Sequence, residues 1–368
     1  MDSSERLPDG SLFSDHTGGK QVKQIMRMTM LLLSILVLTL AGNTGSAESV
    51  PVFRRPADAL AWITENQPEE LDLGKTKFSP QDLLKIRQSM PEGAAFAFEA
   101  EFRGAVYTQD TVSFNANGNK KQISREELLA LIRLMPGLKE MDVSGHRELS
   151  NKIMPDIVDQ YPDIRFAWLI QLPYGHSLSS TFTAYSTMNN LDAKRFTEKS
   201  LDVMKYAPDI RALDMGHNDI KDISFLRYMP GMELLILADN EIEDLTPLGE
   251  LTQLRYCEIF MNRFSDLSPL SRCTELLDLN IVRTNVTSLD GLEGCTKLER
   301  LWAPQRKQLD EASIDRFISA HPDCQIAYGT GSATGEGWRE HWRYKHYVSC
   351  FKTHIWIPFE EAADQENR

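Results

Sequence analysis

The side chains that most often do chemistry, histidine and cysteine, are few and scattered in this chain of 368 residues. None of the histidines lies in an H-E-x-x-H motif or beside a C-x-x-C pair, so we expect no metal site. The glycine-rich run at 329–337 lacks the spacing of a phosphate-binding loop, and no serine lies in a G-x-S-x-G turn. We therefore expect no cofactor and no enzyme. The histidines are His16, His146, His176, His217, His321, His341, His346 and His354.

The cysteines raise one catalytic alternative. Five cysteines in a chain of this length do not indicate a disulfide scaffold. A nucleophilic thiol at Cys350 would need a basic partner, and His346 is four residues away. Nothing else typical of a catalytic site accompanies this pair, so we expect it to play no catalytic role. Cys324 is not explained by any pattern.

A period of 22 residues is the dominant pattern in the second half of the chain. Its first copy has Leu213 and Met215 separated by one residue and followed by Asn218 and Ile220. A fifth copy opens at Leu301 and loses the register near 306. The intervening copies are Leu235, Leu237, Asn240 and Ile242; Cys257, Ile259, Asn262 and Phe264; and Leu279, Ile281, Thr284 and Val286.

Each unit predicts a short strand, a turn and a short helical or extended return. Strand alternation points the L-x-L pair inward, and the asparagine binds backbone groups left unpaired at the turn. Thr284 replaces that asparagine only partially, so its turn should be the weakest. Pro247 and Pro269 fit the first position of a helical return. No unit buries its apolar side alone, so the units must stack into a solenoid.

This spacing resembles that of leucine-rich repeat proteins over about residues 210–326. The I-x-D-L-x-P-L form at Ile242–Leu248 is similar to the short bacterial repeats of internalin-like surface proteins. The resemblance implies an α/β fold, a right-handed curved leucine-rich repeat solenoid with a parallel sheet on the concave face. Cys273 and Cys295 fall in one apolar column, where a bridge is conceivable but buried free thiols are expected.

The stretch before the repeats predicts longer strand–helix units. Strands are expected at 70–73, 96–102, 112–114, 140–143 and 165–170, and helices at 80–90, 124–135 and about 152–160. Ser124 and Glu127 have the form of a capping box, and each helix is followed by proline. The segments FAFEAEF and FAWLIQL align with each other, which suggests a duplicated strand–loop unit. We expect residues 48–206 to form the irregular amino-terminal part of one solenoid that continues through the regular repeats at 207–327.

The carboxyl-terminal segment 328–368 combines a glycine-rich linker with many aromatic residues. Its G-W-R-x-H-x-R-Y motif, beginning at Gly337, is similar to a tail found after the repeats in leucine-rich repeat proteins of gut Firmicutes. We know of no assigned chemistry for that tail. An aromatic-rich tail needs an apolar surface to cover, so we expect it either to cap the open end of the solenoid or to fold back on one face.

The amino terminus has the pattern of an export signal. The apolar run Met28–Gly42 follows Lys20, Lys23 and Arg27 and precedes small residues that end at Ala47. We expect residues 1–47 to be a signal peptide cleaved after Ala47. The alternative is an uncleaved single-pass anchor, for which the run is short. The protein is thus expected to work outside the cytoplasm, secreted or associated with the cell surface.

The side chains between the inward pairs form an unusually apolar strip on the predicted concave face. An exposed apolar patch is typical of an interaction site, so one hypothesis is that the strip binds a protein or peptide. The alternative is that the aromatic tail or the loop at 171–190 covers the strip and makes it core. Alanine at Tyr256 and Trp302 would distinguish these by melting temperature. The candidate binding residues are Leu234, Ile236, Tyr256, Phe260, Met261, Val282 and Trp302.

The net charge of −13 makes a nucleic-acid partner improbable on electrostatic grounds. The sequence therefore predicts a non-catalytic, exported binding scaffold for an unidentified protein or peptide. The alternative function is that of a cell-envelope structural or carbohydrate-adhering protein, with a glycan as the partner. Membrane association is expected only through an uncleaved amino-terminal segment.

Overall fold

The computed structural model describes residues 51–118, 121–187, 195–329 and 331–366, and from Val52 onward these form one compact unit. The helices are α1 Pro56–Asn66, α2 Pro80–Ser89, α3 Arg125–Leu134, α4 Met154–Gln160, α5 Glu311–Ala320, α6 Trp342–Thr353 and α7 Phe359–Glu366. The strands are β1 Glu70–Thr76, β2 Ala95–Phe102, β3 Ala105–Thr108, β4 Ser113–Asn115, β5 Glu140–Asp142, β6 Arg165–Ala167, β7 Leu169–Gln171, β8 Ser177–Ser179, β9 Ala184–Ser186, β10 Ala212–Asp214, β11 Leu234–Ile236, β12 Tyr256–Glu258, β13 Asp278–Asn280, β14 Arg300–Ala303 and β15 Gln325–Tyr328. Short 3-10 helices span Pro173–Gly175, Glu198–Ser200, Asp202–Tyr206, Ser224–Tyr228, Thr246–Glu250, Ser268–Arg272 and Arg306–Gln308.

The repeats form a parallel sheet whose strands follow one another in chain order from β9 to β15. From β10 to β14 each residue pairs with the residue 22 positions later in the next strand. Leu213 therefore pairs with Leu235, and Leu235 pairs with Cys257. The returning segments of three repeats contain 3-10 helices, two of which have a predicted proline, Pro247 or Pro269, as their second residue. The α/β solenoid with its parallel sheet is confirmed.

The predicted asparagine ladder is present at the turns. Asn240 donates from Nδ2 to the carbonyls of Met215 and Leu237 at 3.0 and 3.1 Å, and its Oδ1 accepts from the Ile220 N–H. Asn262 repeats these contacts one unit later. Thr284 donates only to the carbonyl of Ile281, at 2.8 Å, because its hydroxyl carries one hydrogen. Thr284 itself therefore makes fewer hydrogen bonds than the asparagines, but Gln308 Nε2 donates to the carbonyls of Thr284 and Val286, so the weakness of this turn stays a prediction.

The residue before each ladder position has left-handed backbone geometry. His217, Asp239, Met261 and Arg283 have φ values of 59°, 54°, 56° and 58°. Such a conformation is unusual for residues other than glycine, and its recurrence shows that the same tight turn is built in successive units. The repeat is thus a repeat of backbone conformation as well as of side chains.

Two hairpins interrupt the sheet in the amino-terminal half. Strand β2 runs parallel to β1 and then turns back into the antiparallel strand β3. Strand β6 runs parallel to β5, and its continuation β7 turns back into the antiparallel strand β8. The two aligned sequence segments therefore occupy equivalent positions, each ending a parallel sheet with a hairpin.

The expectation of one unbroken strand at 165–170 is wrong. The strand breaks at Trp168, whose N–H donates to Ser180 Oγ at 3.1 Å and whose carbonyl accepts from the Ser180 N–H. These bonds move the chain from pairing with β5 to pairing with β8. The interior nevertheless continues through the hairpin, because Leu83 in the first units and Phe317 in the last belong to one cluster of buried side chains.

The helices begin and end at the predicted signals. Ser124 accepts from the Glu127 N–H while the Glu127 carboxylate accepts from the Ser124 N–H, which completes the capping box of α3. The helices α2, α3 and α4 all end just before a proline.

The export signal predicted at residues 1–47 lies outside the described residues. No helix within the described ranges is long and apolar enough to cross a membrane.

Candidate binding surfaces on the concave face

The concave face is the side of the strands that points away from the 3-10 helices. Successive residues of a strand alternate between the two faces, so Asp214 and its equivalents point to the concave side while their neighbours fill the interior. The sheet β9–β15 aligns these side chains in columns. One column, in order along the sheet, is Asp214, Ile236, Glu258, Asn280 and Trp302.

The segment 331–366, called here the tail, lies across this part of the concave face. It leaves β15 at the glycine-rich linker and crosses the sheet back toward β9, where the Trp356 N–H donates to Thr183 Oγ1 at 2.7 Å. Along the way, Asn280 Nδ2 donates to the Ala333 carbonyl at 2.8 Å and Trp302 Nε1 donates to the Gly335 carbonyl at 2.9 Å. Of the two predicted placements, folding back on one face is the one observed.

The predicted exposure of the apolar strip is therefore wrong. Trp302 and Tyr256 are completely buried, and the other strip residues are buried or half-buried. The physical reason is that Trp338 packs on both rings, with ring centroids 5.0 Å from Trp302 and 5.4 Å from Tyr256. The binding role of these residues stays a proposal. The residues concerned are Leu234, Ile236, Tyr256, Phe260, Met261, Val282 and Trp302.

A buried carboxylate on β12 joins the strip to the tail. Glu258 is 3% exposed, and its Oε1 accepts hydrogen bonds from the hydroxyls of Tyr256 and Tyr347 and from Trp338 Nε1, at 2.6, 2.9 and 2.9 Å. Burial raises the pKa of Glu258, while these three donors act in the opposite direction. Two of the three donors come from the tail, so the tail supplies most of the side-chain hydrogen bonds to this carboxylate.

A second polar group on the sheet binds two arginines. Asp278 is completely buried, and its Oδ1 accepts from Arg300 Nε at 2.7 Å and from Arg343 Nη1 at 2.9 Å. Arg343 belongs to the tail and also pairs with Glu299. The Arg300 guanidinium lies 4.6 Å from the ring centroid of Trp338, a cation–π contact. The tail therefore neutralises charge on the strip as well as covering apolar area.

Asp214 is a third buried carboxylate, and it lies in the same column as Glu258. Its Oδ1 accepts from the Gly216 N–H at 3.0 Å and its Oδ2 accepts from Ser186 Oγ at 2.8 Å. Burial raises the pKa of Asp214 to about 6. The folded protein therefore favours the protonated form of this side chain more than the unfolded chain does.

The pair Cys350 and His346 comes together but lacks the geometry of a catalytic dyad. Cys350 Sγ lies 3.5 Å from His346 Nε2, the same nitrogen that lies 2.6 Å from the Ile357 carbonyl oxygen. A nitrogen that donates to a carbonyl carries a hydrogen and has no lone pair to take the thiol proton. Burial also raises the pKa of Cys350, which disfavours a thiolate.

The other cysteines and the described histidines form no metal-binding cluster in the part of the chain that the structure describes. All five thiols are free, as expected for Cys273 and Cys295, whose Sγ–H groups donate to the carbonyls of Leu248 and Leu270. Burial raises the pKa of Cys273 to about 11. Within the ranges that the structure describes, no three histidine, cysteine or acidic residues lie together as a metal site.

The concave face of the sheet β4–β6 is open and polar. A groove there is lined by side chains from three neighbouring strands and by Thr181. Glu140 accepts from Ser113 Oγ at 3.3 Å and Asp142 accepts from Asn115 Nδ2 at 3.1 Å. No sequence motif marked these residues, although they alternate with Phe114, Met141 and Phe166 along the three strands. The groove residues are Ser113, Asn115, Glu140, Asp142, Arg165 and Ala167.

The charge of the groove is unbalanced. Arg165 is paired outside the sheet with Asp209 at 2.7 Å. Among the described residues, no lysine or arginine lies within ion-pair distance of Glu140 or Asp142. The groove therefore presents two carboxylates that form no ion pair with a described residue, and Arg165, opposite Glu140, is engaged by Asp209. It ends where Phe182, next to Thr181, stacks on His354 of the tail with ring centroids 4.2 Å apart.

The repeat register, the asparagine ladder and the left-handed turns together define a leucine-rich repeat fold built from short units of 22 residues. No protein-family model matches the sequence, and no curated protein matches it.

Solved structures to which the chain is similar include internalin C2 of Listeria monocytogenes, with 16% identity, 69% of this chain and 87% of that chain covered, and a TM-score of 0.29. A leucine-rich repeat protein of Leptospira interrogans has 15% identity, coverage of 70% and 71%, and a TM-score of 0.34. Internalin J of Listeria monocytogenes has 15% identity, coverage of 73% and 54%, and a TM-score of 0.32. The fold assignment itself rests on the register and turns of this chain.

Proposed function

We propose that this protein is an exported, non-catalytic scaffold that binds a protein or peptide through its concave face. The observation that carries the proposal is the open groove on β4–β6, where Glu140 and Asp142 form no ion pair with a described residue. Arg165 lies opposite Glu140 but pairs with Asp209 instead. Charge complementarity favours a partner segment that carries lysine or arginine. A solenoid supplies a rigid, preformed surface for such a segment, which lowers the ordering cost of binding.

Selection from a phage-displayed library of random peptides tests this proposal. The full chain is immobilised and compared with the double variant Glu140→Lys, Asp142→Lys. The control is Glu92→Lys, Glu250→Lys, which makes the same change of charge at exposed positions outside the groove. We expect the native chain and the control to enrich peptides rich in lysine and arginine, and the groove variant to lose that enrichment. Equal enrichment by all three proteins would show that the groove is not the binding surface.

The glycan alternative is tested on the same immobilised proteins with cell-envelope extract. The bound material is eluted either with free oligosaccharides or with moderate salt. Elution by oligosaccharides but not by salt would favour carbohydrate adhesion over peptide binding. The aromatic residues that would stack on sugars in that alternative, Tyr256 and Trp302, are buried beneath the tail. The structure therefore adds no support to the glycan alternative.

Export is the part of the proposal supported by the sequence alone. The amino-terminal segment has the pattern of a secretory signal, with basic residues before a short apolar run at Met28–Gly42 and small residues after it that end at Ala47. Expression of the full chain in a bacterial host, followed by mass spectrometry of the intact protein, should give a mature amino terminus at Glu48. A full-length mass in the membrane fraction would instead support the retained anchor.

A further inference from the structure

The tail and the solenoid have separate hydrophobic interiors. The inward leucines of the repeats form one cluster of buried side chains, whereas the strip and the tail form another on the opposite side of the sheet. The tail follows β15 through a linker that begins at Gly329, where φ is +55°. Removing the tail from the strip therefore leaves the interior of the repeats intact.

The contact between tail and strip has the composition of an association interface. Its centre is aromatic residues and arginine, the types enriched in protein–protein contacts. Its polar groups are incompletely matched, because Asp278 Oδ2, both terminal nitrogens of Arg300 and Arg343 Nε have no hydrogen-bond partner among the described residues. Unpaired buried polar groups weaken a contact, so this interface is less stable than its area alone suggests.

The strip selects a definite ligand chemistry. Glu258 accepts from an indole N–H and a phenol hydroxyl, and Asp278 accepts from a guanidinium. The tail meets both carboxylates with Trp338 and, five positions later, Arg343. The aromatic rings of the strip require a flat apolar partner between these polar contacts, which the Trp338 ring supplies.

We propose that the strip is a docking surface for a partner-protein segment that carries a tryptophan followed at short spacing by an arginine. The tail occupies this surface as an internal ligand of the same chemistry, and the partner segment displaces it. Asp278, beside the strip, favours a cationic group, and the tail shows that an aromatic and arginine-bearing segment fits. This proposal does not depend on the groove at β4–β6.

Hydrogen exchange on the full chain tests whether the tail opens by itself. We expect the amides of α6 to exchange at least about tenfold faster than those of β11–β13, because the tail detaches without unfolding of the repeats. Equal exchange rates in α6 and β11–β13, governed by one global unfolding event, would overturn the proposal.

Binding of a synthetic peptide with the sequence of residues 332–358 tests the docking surface directly. In the full native chain, saturating peptide should speed exchange in α6 and leave exchange in α3 unchanged. The variant Trp338→Ala, which weakens its own tail and keeps the strip, should bind the peptide roughly tenfold more tightly than the native chain, since less competition must be overcome.

Controls separate docking from nonspecific adhesion. A scrambled peptide of the same composition, and a peptide with Trp338→Ala and Arg343→Ala, should not bind. Trp62→Ala serves as the matched tryptophan variant, because Trp62 lies in α1, far along the chain from the strip, and packs on Phe53. If the native peptide neither binds Trp338→Ala nor changes exchange in α6 of the native chain, the strip is permanent core and the proposal is wrong.

Discussion

The concave faces of the sheets β4–β6 and β9–β15 share parallel strand geometry but present opposite surfaces. On β4–β6 the side chains are hydrophilic and remain open to solvent, with Glu140 exposed. On β9–β15 the corresponding positions carry Tyr256, Trp302 and other apolar groups, and the tail covers them. The difference shows that the fold determines where the side chains point. The residue types in each column then decide whether the surface stays open to solvent or must be covered.

The largest expected effect on this comparison comes from Trp302→Ala. Trp302 is completely buried, and its Nε1 donates to the tail at the Gly335 carbonyl. Removing it leaves a cavity between sheet and tail, so we expect a loss of about 4 to 5 kcal/mol in tail docking. Hydrogen exchange in α6 and the melting temperature measure this loss, with Asn115→Ala in the groove as the control. Unchanged exchange and melting temperature would mean that the strip is already open in solution.

The next effect in size is expected from Arg343→Met. The substitution keeps an apolar stem but leaves Asp278, which is completely buried, with Arg300 as its remaining ion-pair partner. Breaking a buried ion pair from one side costs about 3 to 5 kcal/mol when the remaining charge has no partner. Because Arg300 still pairs with Asp278, we expect tail docking to weaken by about 3 kcal/mol, the lower end of that range.

A double-mutant cycle with Asp278→Asn isolates this pair. Stability is measured by urea denaturation of all four proteins, and we expect the effect of Arg343→Met to shrink when Asp278 is replaced. Fully additive effects would show that the two side chains do not interact in solution, which would contradict the polar contact between tail and strip.

Acid should stabilise the covered region. Folding raises the pKa of Asp214 from 3.8 to about 6, so the stability from this group is fully present below pH 3.8 and is lost as pH rises through about 6. A shift of this size corresponds to up to about 3 kcal/mol between pH 4 and pH 8.

The variant Asp214→Asn removes this pH dependence. We measure the free energy of unfolding of both proteins by urea denaturation from pH 4 upward. As pH rises, the native chain should lose stability relative to Asp214→Asn, so the free energy of the variant should approach or exceed that of the native chain. The exposed change Asp202→Asn should leave the native pH profile unaltered. Parallel curves for the native chain and Asp214→Asn would show that Asp214 ionises freely and is not held in the buried state.

The 22-residue repeat made the strands of the sheet β9–β15 predictable, but not the contacts that the tail makes with them. The 22-residue period determines that Leu235 faces Leu213 and that Glu258 and Trp302 share a column, because each repeat adds one strand. The contact between Glu258 and Trp338 joins residues 80 positions apart and belongs to no period. Composition indicated that an aromatic tail needs a surface, but only the folded chain shows which carboxylate each tail donor reaches.

The hairpins of the amino-terminal half were not predictable for a different reason. FAFEAEF forms one strand and FAWLIQL contributes to two, separated by the break at Trp168. Alternation alone does not reveal whether the next strand partner is parallel or antiparallel. The turn between β7 and β8 includes Tyr174 at φ +60° and Gly175 at φ +82°, with no Asn-Gly or Asp-Gly pair to indicate a hairpin. The open groove lies between these two hairpins, which explains why sequence columns drawn only through the regular repeats did not find it.

The smallest expected effect on stability comes from Glu140→Gln in the groove. Glu140 is exposed and its contact with Ser113 at 3.3 Å is retained by an amide oxygen, so the free energy of unfolding should change by less than about 0.5 kcal/mol. Binding of lysine- and arginine-rich peptides should weaken nonetheless, because the substitution removes a charge from the surface that receives them. Thermal denaturation and peptide titration on the same preparation measure both quantities. A loss of several degrees in melting temperature would show that the groove residues support the fold. The open surface on β4–β6 would then serve packing, as the covered surface on β9–β15 does, and not binding.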